Sequence, residues 1–224
     1  MFAGVLTLSG LALANGSGDG PPGEGWEAGT HDGIEVFLRP VKGTAIHEVW
    51  VRTTLSANAR DLQEALTDPE QFHTFMPHLK EARYVGTSGP VSLTYTLIDP
   101  PIVGRRDYVS EVRVLEEVQP GGEGTFHQTW RAVSGKLPKR HGVVRLDHNE
   151  GSWRISARPD GRAQVLYQLS VSPGGMVPGA LALMAARGAV VDTLRAVEKE
   201  ARRRGSQRVR AGTSAQRGQI PPEL

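Results

Sequence analysis

The stretch that decides the fold comprises residues 172–204 and reads SPGGMVPGALALMAARGAVVDTLRAVEKEARRR. Its Pro-Gly-Gly at 173–175 interrupts the preceding pattern, and Pro178 has the backbone angle that the first turn of a helix accepts. Apolar residues then recur at steps of three and four, which predicts a long amphipathic helix with one apolar face. That face consists of Val177, Leu181, Met184, Gly188, Val191 and Leu194.

The apolar face of this helix combines thin residues with adaptable ones. Alanine and glycine occupy little space, and the unbranched methionine side chain adjusts to irregular gaps. We therefore expect the helix to leave space between itself and the structure that it covers. Met176, Leu181 and Met184 are the helix residues predicted to contact a ligand in that space.

Short runs of alternating apolar and polar residues, separated by turns rich in Gly, Pro, Asn and Asp, precede the helix. They predict strands near 34–39, 46–55, 82–85, 91–98, 107–118, 125–133, 142–148, 152–157 and 163–171, with a hairpin turn at 149–151 and a short helix before Asp68. Successive strands joined by short turns form antiparallel sheets. The predicted fold class is therefore α+β, with the long helix on one face of an antiparallel sheet.

Composition excludes several classes of function. The 224 residues carry a formal net charge of only +2 and contain no cysteine, so disulfides, thiolate nucleophiles and cysteine-based metal sites are excluded. Six arginines fall within 202–217, which leaves the rest of the chain close to neutral. A surface that binds nucleic acid would be basic, and we expect no nucleic-acid partner.

The sequence predicts neither a metal site nor a cofactor. None of the seven histidines has a second histidine at the H-x-x-x-H spacing that lets one helical face hold a metal ion. The chain also lacks the G-x-S-x-G motif of a common class of serine nucleophile.

The two ends of the chain are predicted to lie outside the folded domain. Residues 1–14 form a short apolar block ending in Ala-Leu-Ala, as signal peptides do, although no Lys or Arg precedes the block. Residues 15–25, rich in Gly and Pro, are predicted to form a flexible linker. We expect a domain at 26–204, a disordered basic tail at 205–224, and export to the periplasm or beyond; a block that is not a signal would leave the protein cytoplasmic.

The order of these features resembles a START domain, the lipid-transfer fold within the wider Bet v 1-like and polyketide-cyclase group. The similar features span about 26–204: they are 33–37, the helical insert 59–75, the run 101–109, Trp130, Trp153, and 172–175 followed by Pro178. The resemblance implies a curved antiparallel sheet wrapped around the C-terminal helix, the helix-grip arrangement. It also implies a tunnel between sheet and helix that holds one lipid or other hydrophobic molecule, without covalent chemistry.

Arg106, Asp107 and His127 are the candidates for polar contact with a ligand. An Arg106–Asp107 pair inside an apolar tunnel would be costly unless it met a polar ligand group, whose position it would then fix. A surface salt bridge at the end of a strand is the alternative. His127 either points into the cavity and bonds the ligand, or is a solvated or structural histidine.

Tyr95, Trp130, Trp153 and Tyr167 are the aromatic candidates, each on a different predicted strand. Aromatic side chains that face inward line a pocket and direct their polar tips into it. An ordinary packed core uses the same residue types, so the sequence leaves both interpretations open.

Three functions fit these features. The first is a carrier that takes a hydrophobic ligand from a membrane, encloses it under the helix and releases it elsewhere, with transient membrane contact. The second is a cyclase or aromatase that acts on a polyketide-like chain, with His127, Asp107, Arg106 or Tyr95 as general acid or base. The third is an exported interaction module that has lost its cavity.

Overall fold

The structure, a computed structural model, describes the backbone of residues 20–101, 103–175 and 179–217, and the side chains of these residues except 179–185 and 212–217. The strands are β1 (Glu27–His31), β2 (Ile34–Pro40), β3 (His47–Leu55), β4 (Leu79–Ser88), β5 (Val91–Ile98), β6 (Arg106–Glu116), β7 (Thr125–Ala132), β8 (Val144–Arg145), β9 (Asn149–Ala157) and β10 (Ala163–Val171). The helices are α1 (Ala59–Leu66), α2 (Phe72–Phe75) and α3 (Gly179–Arg217), with a 3₁₀ turn at Pro69–Gln71.

The strands form one open antiparallel sheet in the order β1-β2-β3-β10-β9-β7-β6-β5-β4. β10 lies between β3 and β9 and pairs with both along its whole length. The short strand β8 pairs with the start of β6 in a parallel sense. The sheet and the long C-terminal helix confirm the α+β helix-grip fold that the sequence predicts.

The core lies between the sheet and the helices α1 and α3. Alternate residues of β2 are buried, as a strand with one covered face requires. From α3, the apolar side chains Val190, Val191, Leu194, Val197 and Ala201 enter the same core. We call the sheet face that α1 and α3 cover the inner face, and the opposite one the outer face. No helix in the described ranges is long and apolar enough to cross a bilayer.

The helix α3 continues past residue 204, where the sequence predicts a disordered tail. It packs closely on α1, because a Cβ atom added to Gly205 would lie 2.3 Å from Asp61 Oδ2. Arg208 forms ion pairs with Asp61, at 2.7 Å, and with Glu64. Contacts with α1 therefore support the helical conformation at 205–208 against the weak helix propensity of Gly205. Residues 218–224 of the predicted tail, and 1–19 with the predicted signal peptide, lie outside the described ranges.

The predicted hairpin turn at 149–151 is wrong, since these residues begin strand β9. Asn149 pairs with Val171 and Gly151 with Leu169 of β10. Gly151 fits there because it lacks a side chain: a Cβ atom would lie 2.3 Å from the Gln168 carbonyl oxygen and 2.5 Å from the Trp130 ring. The Asn-Glu-Gly sequence is typical of a turn, whereas Gly here allows close packing within the sheet.

Candidate ligand-binding pocket

A cavity of about 450 Å³ lies on the inner face of the sheet. Its floor is formed by β5, β6, β7, β9 and β10. Its opposite side is formed by the segment from Leu66 to Leu79, which includes α2, and by Ala189 and Thr193 of α3. Ligand sites in proteins are typically concave, largely apolar and of this size, so the cavity is the candidate site.

Strand alternation decides which side chains reach this pocket. Ser92, Thr94, Thr96 and Ile98 of β5 line it, whereas the intervening residues point to the outer face. On β6 the same rule selects every second residue, and the lining residues are Tyr108, Ser110, Val112 and Val114. Consequently, two adjacent residues of either strand place their side chains on opposite faces, one in the pocket and one on the outer face.

An aromatic wall closes one side of the pocket. Trp130, Trp153 and Tyr167, predicted from the sequence as ligand contacts, all line the cavity. The Tyr167 ring lies 4.4 Å from that of Trp153 and 6.0 Å from that of Trp130, measured between centroids. Trp130 Nε1 donates to Asn149 Oδ1 at 2.9 Å, which fixes the indole. Trp153 and Tyr167 also belong to the core cluster, so pocket wall and packed core are the same surface here.

Four hydroxyl-bearing side chains, which we call the polar block, lie in the middle of the pocket floor. They are Thr94, Thr96, Tyr108 and Ser110. Thr94 is directly opposite Ser110 across β5 and β6, and Thr96 is opposite Tyr108. Sequence reasoning missed all four. The available signal was the Ser-x-Thr-x-Thr alternation in β5, which places hydroxyls where an ordinary core strand has apolar residues.

Tyr108 and Tyr167, two of the three tyrosines in the described pocket lining, remain protonated at neutral pH. Burial raises the pKa of Tyr108, an effect that a hydrogen bond with Thr96 partly offsets. Burial also raises the pKa of Tyr167, and the nearby Tyr108 adds to that effect. Both hydroxyls can therefore donate hydrogen bonds to a ligand but are poor general bases.

Tyr95 and Asp107, predicted as ligand contacts, instead face the outer side of the sheet. The Tyr95 hydroxyl donates to Asp107 Oδ2 at 3.1 Å. Arg145 Nε donates to Asp107 Oδ1 at 2.7 Å, and both partners of this ion pair are buried. That hydrogen bond raises the pKa of Arg145. The prediction for Tyr95 and Asp107 is corrected, because their odd-numbered positions put them opposite the pocket-lining residues of β5 and β6.

Arg106 is buried but neither lines the pocket nor pairs with Asp107. Its guanidinium donates to backbone carbonyls: Nε to Pro173 at 2.6 Å, Nη2 to Gly174 at 3.3 Å, and Nη1 to Gly104 at 2.9 Å and to Val103. Burial lowers the pKa of Arg106. Both sequence interpretations are thus corrected, since Arg106 joins the loop before α3 to the loop between β5 and β6.

His127 also lies on the outer face. Its Nδ1 is 3.3 Å from Arg154 Nη1 and 3.7 Å from Glu116 Oε1. Burial lowers the pKa of His127, with the positive charge of Arg154 as the second cause. His127 is a structural histidine, which corrects its prediction as a ligand contact. Among the described residues, no three His, Asp or Glu side chains are placed to hold a metal ion.

The predicted helix contacts cannot be placed in the same way. Met176 lies outside the described residues, and so do the side chains of Leu181 and Met184. Further along α3, Gly188 has open space beside it: apart from the adjacent helix backbone, no described atom lies within 4 Å of an added Cβ. Ala189 and Thr193 follow it in the pocket lining.

Comparison with known proteins shows the family to which this chain belongs. Residues 55–198 match the model of the polyketide cyclase/dehydrase and lipid transport family. The chain belongs to this family. The family domain contains the polar block, the aromatic wall and the start of α3, and the matched region confirms the resemblance to the START and polyketide-cyclase group.

Two solved structures and one sequence relative show how widely this family fold is shared. An uncharacterised protein of Pseudomonas aeruginosa is 26% identical over 207 residues, which is 91% of this chain and 96% of the relative. A STAR-related lipid transfer protein from Xanthomonas axonopodis is 28% identical, with a TM-score of 0.68 over 80% of this chain and 99% of that one. Human STARD10 has a TM-score of 0.70 at 16% identity, over 88% of this chain and 82% of that one.

Proposed function

We propose that this protein binds a lipid or another hydrophobic small molecule in the pocket between the sheet and α3. The observation that carries the proposal is a cavity of about 450 Å³ whose wall is mostly apolar and aromatic. Membership of a family that includes lipid-transport proteins, and 28% identity with a STAR-related lipid transfer protein, support it.

The shape of the pocket suits an extended chain. Its lining residues on β5 run from Ser92 to Ile98, a length of about 20 Å at about 3.3 Å per residue. Each buried CH₂ group contributes about 0.8 kcal/mol, so about ten carbons would contribute about 8 kcal/mol. That is of the order of the free energy that association itself costs.

The simplest test of binding is native mass spectrometry of the protein after exposure to a mixed lipid extract. The intact protein should retain one hydrophobic molecule. Thr94→Phe, which places a ring in the pocket, should abolish retention, whereas Thr54→Phe at an exposed position of β3 should not. Thr96→Leu serves as a milder second variant if Thr94→Phe fails to fold. An intact protein that never retains a lipid would refute the proposal.

For transfer, we propose that the exposed basic face of α3 contacts anionic membranes. Lys199, Arg202 and Arg210 follow one another at helical spacing and are exposed. Among the described residues, no ion pair involves any of the three, unlike Arg195 and Arg203 beside them. Unneutralised basic side chains attract the anionic lipids of a bilayer surface.

Vesicle co-sedimentation tests this contact. Lys199→Glu/Arg202→Glu should reduce binding to vesicles of mixed phosphatidylglycerol and phosphatidylcholine, and high salt should do the same. Lys42→Glu/Lys136→Glu changes the net charge equally at exposed positions elsewhere. If both double variants lose binding equally, the basic face of α3 has no special role.

A cyclase or aromatase remains the alternative function, because the family also contains polyketide cyclases. The positions of the candidate acids and bases favour the carrier. Tyr95, Asp107 and His127 face away from the pocket, and Arg106 is held by carbonyls. Turnover of a polyketide-like substrate that persisted in Asp107→Asn and His127→Gln, yet was lost in Thr94→Phe, would establish an enzyme with other catalytic residues.

We also propose export, on the apolar block at residues 1–14. N-terminal sequencing of the protein recovered from cells checks it. A mature chain that begins shortly after Ala14 is expected, and a cytoplasmic chain that begins at Met1 would contradict export.

A further inference from the structure

The polar block has a feature that an ordinary protein core lacks. Ser110 is 2% exposed, yet its Oγ has no hydrogen-bond partner among the described residues. The opposite residue on β5, Thr94, is 6% exposed and does not supply one. A buried hydroxyl without a partner costs free energy, and native proteins rarely keep one without a reason. Ser110 lines the pocket. Its Oγ is closed to solvent in the rotamer described, and rotation to another staggered rotamer would let a bound molecule supply the missing partner.

Within the polar block, Ser110 is the residue whose hydroxyl lacks a hydrogen-bond partner among the described residues. Tyr108 already shares a hydrogen bond with Thr96. Directly opposite residues on neighbouring antiparallel strands have Cβ atoms about 5 Å apart, so the side chains of Ser110 and Thr94 lie within reach of a single ligand group. Val112 lines the pocket beyond one end of the block, and Ile98 lines it beyond the other end. The block is thus a small polar patch within an apolar groove.

The charged side chains near the pocket limit the chemical class of the ligand further. Within the described part of the pocket wall, no Lys, Arg, Asp or Glu side chain is present, and the histidine of the lining, His78, is solvent-exposed. A carboxylate or phosphate buried at the polar block would therefore lose its water without gaining a buried counterion, which is strongly unfavourable. The charged residues of the same strands, such as Asp107, are on the outer face and paired there.

From these observations we propose that the natural ligand is a hydrophobic molecule with one uncharged oxygen-bearing group, a hydroxyl or carbonyl, which Ser110 binds through its Oγ. The inference rests on the proposed function and specifies its ligand class. It places the oxygen of the ligand at the polar block and the hydrocarbon along the side of the groove where Val112 pairs with Trp130 of the aromatic wall. Molecules whose only polar group is a buried anion are excluded from this site.

A set of three twelve-carbon probes tests the ligand class: 1-dodecanol, dodecane and dodecanoate at pH 8, each delivered from cyclodextrin. Trp130 and Trp153 line the pocket, so the change in tryptophan fluorescence reports binding. Dodecanol should bind at least about tenfold more tightly than dodecanoate, because only the anion must be desolvated without a counterion. Equal or tighter binding of dodecanoate would overturn the inference.

Ser110→Ala tests the contact itself. The ratio of dodecanol affinity to dodecane affinity should fall about two- to tenfold, the value of one neutral hydrogen bond, while dodecane affinity stays the same. Ser152→Ala is the matched control, since Ser152 is equally buried, lies on β9 and donates to Gln168 Oε1 at 3.2 Å. It should leave the ratio unchanged. An unchanged ratio in Ser110→Ala would overturn the inference.

Thermal unfolding without probe separates this role from a structural one. Ser110→Ala should leave the midpoint unchanged or raise it, because it removes an unpaired polar atom, whereas Ser152→Ala should lower it. A lowered midpoint in Ser110→Ala would show that Ser110 has a partner in the protein and would contradict the inference. Failure of the proposed function looks different: no probe would bind the unaltered protein, or Thr94→Phe would bind all three as well as the unaltered protein does.

Discussion

The two faces of strands β5 and β6 differ in how they treat buried polar groups. On the outer face, Tyr95, Asp107 and Arg145 form a closed network in which each polar group has a partner within the protein. On the inner face, Ser110 is equally buried and has no partner among the described residues. The same two strands therefore carry a hydrogen-bonded structural core on one face and the lining of the candidate pocket on the other.

This difference separates stability from function along the chain. A buried charge whose partner is removed is costly, so the outer network is needed for folding. A buried neutral hydroxyl without a partner lowers the free energy of unfolding slightly. It contributes to ligand affinity when the bound ligand forms the missing hydrogen bond. Substitutions in the outer network should therefore lower the free energy of unfolding and leave ligand affinity unchanged. Substitutions at the polar block should lower ligand affinity and leave the free energy of unfolding almost unchanged.

The largest expected effect is on the outer face. Asp107→Ala leaves the guanidinium of Arg145, whose side chain is 5% exposed, without its carboxylate. The free energy of unfolding should fall by about 3–5 kcal/mol, while the folded fraction binds ligand with unchanged affinity. Urea unfolding and tryptophan fluorescence measure the two quantities.

Glu111→Ala is the control on the same strand. Glu111 pairs with Arg131, which is 64% exposed, so its loss should cost about 1 kcal/mol or less. If Asp107→Ala abolished binding with little loss of stability, the assignment of Asp107 to the outer face would be wrong.

A smaller loss of stability is expected at Gly151, where the sheet packs tightly against Trp130. Gly151→Ala puts a Cβ atom 2.5 Å from the Trp130 ring, and such overpacking costs about 1–3 kcal/mol. Because Trp130 belongs to the pocket wall, ligand affinity should fall as well. Chemical unfolding together with probe titration would show both effects.

Gly188→Ala is the opposite case, since an added Cβ on this helical residue has no described atom within 4 Å apart from the adjacent helix backbone. Alanine there should raise the free energy of unfolding by about 0.5–1 kcal/mol. Equal losses in Gly151→Ala and Gly188→Ala would mean that α3 packs more tightly over the sheet than the structure shows.

The smallest effect concerns pH. The folded pKa of His127 is lower than its ordinary value of 6.5, so between the two the unfolded chain binds more protons than the folded one. This contribution to stability is complete above about pH 6.5 and is lost as the pH falls toward the folded pKa. His127→Gln should flatten the dependence of the urea midpoint on pH between about 7.5 and 5.

Glu116 and Arg154 face His127 from β6 and β9, and both are retained in the His127→Gln variant. Since His127 lies on the outer face, ligand affinity in the variant should match that of the unaltered protein at pH 7.5. A pH profile identical to that of the unaltered protein would show that His127 is not the group responsible.

Most of the fold was predictable from the sequence, because it rests on local patterns. β5 and β10 have the predicted bounds, 91–98 and 163–171, and the apolar steps of three and four located α3. β1 was missed, and Asn-Glu-Gly at 149–151 was taken for a turn. In that case the close approach of Trp130 and Gln168, distant in sequence, decided the role of Gly151.

Much less of the candidate site was predictable, because the face of a strand depends on its register. Trp130, Trp153 and Tyr167 were selected as aromatic residues and line the pocket, whereas Tyr95 was selected on the same ground and faces outward. Asp107 was associated with its neighbour Arg106, but its partner is Arg145, 38 positions away. Such long-range pairing leaves no local signal in a single sequence.

The most direct test of the central claim is a crystal structure of the protein saturated with 1-dodecanol. The expected result is continuous density along the inner face of β5 and β6, with the alcohol oxygen about 2.8 Å from Ser110 Oγ. A pocket filled by protein side chains, or dodecanol bound only at the surface, would contradict the claim that the inner face is an open ligand site.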